Sequence, residues 1–168
     1  MTEKKGETTL KIKSVRYIWN DLPFGILPRR MYAHKRLTPL AYQLAGVLKL
    51  HAMQKKGKEK PDAFVFPSNE TLAREVRRSV PQVIKAKKLL IEAGFIQVER
   101  KQRNRPPRYY FSVPVIESIE ELESRFDVEN FNLTLEDIVL DPDNSPMHTK
   151  EQVEMFREYF DNRRKTKK

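Results

Sequence analysis

Between Ser68 and Gly94 the chain places two amphipathic helical patterns end to end, with room for only a tight turn between them. Ser68 is an N-cap residue type, Glu70 sits where it favours a helix N-terminus, and Leu72, Ala73 and Val76 give the first helix its apolar side. Arg77 and Arg78 leave no space for a loop. Ser79 is a second N-cap type, and Gly94 is the stop that ends the helix it opens. Two short helices locked so closely cannot pack as a parallel bundle. Each must lay its stripe across a third element, and the flanking sequence supplies one on either side.

Upstream, Thr38-Pro39 opens a helix with Leu40, Leu44, Val47, Leu48 and His51 at helical spacing. A basic loop from Lys55 to Lys60 follows, then a short strand over Ala63-Phe64-Val65-Phe66. Downstream, Ile96 and Val98 alternate, as do Tyr109, Phe111 and Val113. They flank a tip of Gln102-Arg103-Asn104-Arg105-Pro106-Pro107, which predicts a β-hairpin. The order is helix, short strand, helix, tight turn, helix, hairpin. The fold class predicted is mainly α with a small β-hairpin wing, the winged helix-turn-helix. Residues 1–37 form an N-terminal arm: 1–13 as a frayed terminus or edge strand, 14–37 as an irregular segment packed by its rings. Residues 38–114 form the winged domain, and 115–168 a helical extension.

Charge divides the chain along the same line. Residues 1–114 hold 25 Lys and Arg against 9 Asp and Glu, a net of +16, whereas residues 115–168 hold 8 against 14, a net of −6. A basic front suits a polyanion, and an acidic back suits another task. The 168 residues include no cysteine, so disulfides and thiolate metal sites are excluded. His34, His51 and His148 share no ligand spacing and are expected to be structural or surface residues. No metal and no cofactor is expected. With no apolar leader and no run of about 18 apolar residues, a cytoplasmic protein is expected.

On a wheel of about 100° per residue, the third helix places Val80, Val83, Ile84, Ala86, Leu90, Ile91 and Ala93 on one broad apolar arc. Pro81, Gln82, Lys85, Lys88 and Glu92 lie opposite. Such an outer face near a helix N-terminus is what base-edge readout in a major groove needs. Gln82 can pair with adenine, Lys85 can reach guanine or a phosphate, and Ser79 with its free backbone N–H groups suits a phosphate. Arg77 and Arg78 are expected to clamp backbone phosphates. At the hairpin tip Arg100, Lys101, Arg103, Arg105 and Arg108 surround Asn104, more cations than an exposed edge needs for protection. Arg74, Arg29-Arg30 and Lys35-Arg36 are expected to make non-specific contacts at best. Lys87 interrupts the apolar arc and is expected to lay its stem on the core and bring its amine out. Leu89 falls on the outer side, toward the N-terminal arm or a second subunit.

The stretch Phe66-Pro67-Ser68, Leu72-Ala73, Ser79, Val83, Leu90, Gly94 and Ile96, with Leu27-Pro28 and Leu37-Thr38 ahead of it, resembles the helix-turn-helix domain at the front of many phage and plasmid replication initiators. The likeness covers about residues 24–113. It departs at Arg77 and Arg78, where that family has Gly and then an apolar residue, and at Lys87, an apolar position. The resemblance implies a sequence-specific protein that binds repeated sites in double-stranded DNA as a homodimer. A transcriptional regulator or partition protein on the same fold is the alternative. A winged helix that binds only proteins is a third reading. A nicking enzyme is set aside because Tyr109-Tyr110 has no His pair beside it.

The extension carries three short apolar patterns: Ile116, Ile119, Leu122 and Phe126; Leu135, Ile138 and Val139 after Thr134; and Val153, Phe156, Tyr159 and Phe160 behind a Thr149–Gln152 capping box. Its rings are expected either to present a surface to a second copy or a replisome protein, or to cover the back of the winged helix.

Overall fold

The computed structural model describes residues 14–16, 29–53, 63–64, 67–100, 103–104 and 107–167. The described elements run in the order β1 Ser14–Arg16, α1 Arg29–Ala33, α2 Pro39–Met53, β2 Ala63–Phe64, α3 Asn69–Val76, α4 Val80–Glu92, β3 Ile96–Glu99, β4 Arg108–Pro114, α5 Ile119–Arg125, α6 Leu135–Ile138 and α7 Lys150–Thr166. The architecture is the expected one, mostly helical with an antiparallel hairpin after the helices.

The helix boundaries follow from side-chain caps. Thr38 Oγ1 accepts from the Ala41 N–H, and Ser68 Oγ from the Thr71 N–H. The first helical turns thereby gain partners for N–H groups that have none within the helix. At the other end of α3 the Arg78 N–H donates to Ala73 O and the Arg77 N–H to Arg74 O. This pattern closes a helix through one residue in the left-handed region. That residue is Arg77, at φ 55° and ψ 47°. Helix α4 ends the same way at Gly94, φ 86°, where the backbone conformation costs a glycine little.

Strand β4 is central. It pairs antiparallel with β3, Ile96 opposite Phe111 and Glu99 opposite Arg108, with β2 at Tyr109 and Tyr110, and with β1 at residues 112–114. The sequence pattern predicts a half-buried strand, yet Tyr109 through Pro114 are all buried. The strand also gains a partner the sequence did not indicate: β1 lies in a stretch read from sequence as irregular, and it pairs with β4 at residues 112–114. The alternation at residues 9–13 and the loop at 55–60 lie outside the described residues.

One apolar core joins the parts. It runs from Met31 and Ala33 through Leu44 and Leu48 of α2, Leu72 and Val76 of α3, Val83 and Leu90 of α4 and Phe95, to Leu122, Phe126, Ile138, Phe156 and Phe160. The four rings singled out in the extension are therefore not a surface. Phe126, Phe156 and Phe160 are buried and Tyr159 packs on the same core. Burial removes apolar area from water at about 25 cal/mol per Å². The extension's helices are too short to hold a core of their own, so covering this one is how their stripes find partners.

The arm and the extension clasp each other. The His34 ring lies edge-on to Phe95 and to Phe126, with centroids 6.0 and 5.2 Å away. The Lys35 N–H donates to Arg125 O, the Asp127 N–H to Ala33 O, and the Lys35 amine to Glu123 O. Arg29 donates to Phe131 O, and Arg30 is buried with its guanidinium near Glu136 O. Arg29, Arg30 and Lys35, expected as loose contacts to a polyanion, are instead engaged with backbone carbonyls of the extension. Burial holds His34 neutral, its pKa lowered to about 4, with Arg125 and Arg36 adding to the effect. Its Nδ1 accepts from the Arg36 N–H. His51 bonds Glu75 across α2 and α3 at 2.7 Å, and His148 bonds Ile116 O at 2.7 Å. All three histidines serve the fold.

Candidate nucleic-acid interface

Helix α4 is opened by a reciprocal cap. Ser79 Oγ accepts from the Gln82 N–H, while Gln82 Oε1 accepts from the Ser79 N–H at 3.0 Å and from the Ser79 hydroxyl at 3.1 Å. Ser79-Val80-Pro81-Gln82 is the same S/T-x-x-Q signature read at Thr149–Gln152, and the signal was present in the sequence. Two expectations change. The backbone N–H of Ser79 is not free for a phosphate, because Gln82 holds it. Gln82 can offer adenine both amide atoms only by releasing Ser79, at a cost of about 0.5–1.5 kcal/mol for the lost hydrogen bond.

The buried side of α4 is Val83, Ala86 and Leu90, packed on α2 and α3. This sets the phase of the helix. Ile84, placed by the wheel on the core arc, is 47% exposed, the most open large apolar side chain among the described residues. Leu89, placed outside, packs against the core. A wheel gives the width of an apolar arc but not its centre. The centre lies among Val83, Ala86, Leu90 and Ala93, so Ile84 falls more than a third of a turn away and Leu89 less than a quarter. The solvent face therefore reads Pro81, Ile84, Lys85 and Lys88, all exposed, at i, i+3, i+4 and i+7. Lys88 lies 3.8 Å from Glu92, a wide surface pair worth little.

An open groove between α3 and α4 flanks this face. Glu70, Arg74, Arg77, Arg78, Ser79 and Gln82 line it. Arg77 and Arg78 are exposed, and Arg78 donates to the Arg77 carbonyl. On the hairpin, Arg103, Asn104 and Arg108 are exposed. Lys101 and Arg105, read as part of the same tip, lie outside the described residues. At the base of the hairpin, Tyr110 OH donates to Glu99 across the strands at 2.8 Å.

Lys87 ties this arrangement together. Its amine does not run out to solvent. It donates to Asn69 Oδ1 at the start of α3, 3.1 Å away, and stands 5.8 Å from the Tyr109 ring centroid of β4. Burial lowers its pKa. An amide oxygen and a ring face compensate for the solvation the ammonium gives up. One side chain thus links the two helices of the turn to the wing.

Residues 36–96 match the family model of a helix-turn-helix domain. The matched span begins ahead of α2 and ends at the start of β3, so the wing and the extension lie beyond it. The helix-turn-helix match supports DNA binding. No curated protein matches the chain. A solved structure, "N-Terminal domain of DNA binding protein", is similar with a TM-score of 0.45 at 20% identity, over 71% of this chain and 98% of that one. Among the described residues no cluster of His, Cys, Asp or Glu is placed to hold a metal, and no helix is long and apolar enough to cross a membrane.

Proposed function

We propose that this protein binds double-stranded DNA sequence-specifically, with α4 as its recognition helix and the β3–β4 hairpin as a second, cationic contact. The observation that carries the reading is the outer face of α4. It is solvent-exposed, carries Lys85 and Lys88, and follows a turn bearing Arg77 and Arg78. A B-form major groove about 12 Å wide admits one helix, and phosphates on either side of it meet cations that flank that helix. Arg77 and Arg78 take backbone phosphates. Arg103, Arg105, Arg108 and Lys101 take phosphates or a narrow minor groove.

The finer reading is a plasmid or phage replication initiator bound as a dimer to repeated origin sites, with the acidic extension toward a replisome protein. It rests on the resemblance across residues 24–113 given above. A transcriptional regulator on the same surface is the second reading. No catalytic step is assigned to the chain. Electrophoretic shift on random duplex, followed by selection of bound sequences and their location in the source genome, tests all of this. Sites repeated inside an origin support the initiator, and single sites at a promoter support the regulator. Absence of any shift at moderate salt refutes DNA binding.

A further inference from the structure

Ile84 is the one side chain on the outer face of α4 whose exposure the fold does not explain. The neighbouring apolar residues of this helix are buried or packed on the core, including Val80, Leu89 and Ile91. Ile84 stands between Pro81 and Lys88 along a single stripe, with Lys85 beside it. It is in the second turn, where the N-terminal half of a recognition helix meets base edges. The other exposed large apolar side chains, Tyr32, Leu50, Val98, Phe131 and Met147, lie elsewhere in the fold. A branched aliphatic group that shares its exposed helix face with Lys85 and Lys88 is a poor seat for another protein's apolar surface, because docking there would desolvate those lysines. It suits a partner that presents negative charge at the edges and an apolar point at the centre. A DNA major groove does so wherever a thymine 5-methyl group projects between the phosphate ridges.

We propose that Ile84 reads a thymine methyl group in the major groove and is a specificity-determining residue of this protein. The proposal rests on the DNA-binding reading above and adds one base identity to it. Lys85 and Lys88 steer the helix into the groove, and Ile84 selects T·A at the step it faces. Cytosine lacks the methyl and leaves the side chain against water.

The test uses the full chain and the duplex it selects from a random pool. Each thymine of that site is replaced in turn by uracil, which lacks only the methyl. Burial of one methyl predicts an affinity loss of about three- to tenfold at one position per half-site. Ile84→Ala should lose affinity for the thymine site by a similar factor and become indifferent to uracil there, with unchanged affinity for random duplex. Ile84→Val keeps a branched aliphatic group and should restore the discrimination. Placing 5-methylcytosine at that step should recover part of the binding that cytosine loses. The unfolding midpoint of Ile84→Ala should match the parent, since the side chain is exposed. If the parent protein selects a site but no thymine is sensitive to uracil, the Ile84 assignment is overturned while DNA binding stands. If Ile84→Ala converts a dimer to a monomer in the absence of DNA, Ile84 is a protomer contact and the assignment is also overturned. If the parent selects no duplex, the reading beneath it fails.

Discussion

Replacing Arg77 by glycine should strengthen the fold and weaken DNA binding at once. Arg77 closes α3 at φ 55°, in the left-handed region that costs a residue bearing a Cβ roughly 1–2 kcal/mol. Glycine removes that cost. It also raises the entropy of the unfolded chain, by about 0.5–1 kcal/mol relative to a residue with a side chain. The two backbone hydrogen bonds that close the helix, to Ala73 O and Arg74 O, use main-chain N–H groups that glycine retains. The net expectation is a gain of about 0.5–1 kcal/mol, or roughly 1–4 °C in the melting temperature of a chain of this size. The same substitution deletes an exposed cation beside the recognition helix. If Arg77 neutralises one phosphate, the slope of log K against log salt becomes shallower by about 0.9. Arg77→Ala separates the effects: it keeps the backbone penalty, so stability should change by less than about 0.5 kcal/mol, while the salt slope falls as for glycine. Urea denaturation of the three proteins and salt titrations on one duplex provide both readouts. A loss of stability on Arg77→Gly would refute the argument from the left-handed cap. An unchanged salt slope would refute the phosphate contact.

The parent protein should show a log–log salt slope of roughly −5 to −7 if five to eight cations reach phosphates; a flat response would remove the polyanion reading. Lys85→Ala should cost about 1–3 kcal/mol on the selected site and little on random duplex, measured by competition anisotropy. Gln82→Ala should lower both stability, by about 0.5–1.5 kcal/mol for the lost half of the capping box, and specificity, whereas Gln82→Glu should keep the box and lose adenine preference; unfolding and selection measure the two separately. His34 titrates near 4 in the folded protein and near its ordinary 6.5 when unfolded, so the unfolded state binds the extra proton between those values. Its contribution to stability is complete above about pH 6.5 and is lost as pH falls toward 4, by up to about 3 kcal/mol. His34→Asn should flatten the stability profile across that window, and a profile as steep as the parent's would assign the effect to other groups. Phe156→Ala should cost about 3–5 kcal/mol in urea unfolding because Phe156 is wholly buried; a cost below 1 kcal/mol would mean that the extension packs only loosely.

The local code of this chain is legible without coordinates. Thr38, Ser68, Ser79, Thr149 and Gly94 mark helix ends because a hydroxyl or a missing Cβ satisfies the backbone there whatever the rest of the chain does. Apolar spacing separates helix from strand for the same reason, since periods of 3.6 and 2 are properties of the backbone. That is enough to order three helices and a hairpin. The tertiary structure alone decides what depends on partners distant in sequence. It sets the phase of α4 on Val83, Ala86, Leu90 and Ala93, which turns Ile84 outward and Leu89 inward. It supplies β1 as a partner to β4, and it buries both faces of a strand the pattern left half-open. It joins Arg29 and Lys35 to carbonyls 102 and 88 residues away. It seats His34 between Phe95 and Phe126, joining the arm, the helix-turn-helix and the extension in one core. A sequence window reports which faces are apolar; only packing selects which of them meet, because burial is collective and the best partner for a stripe lies outside any window.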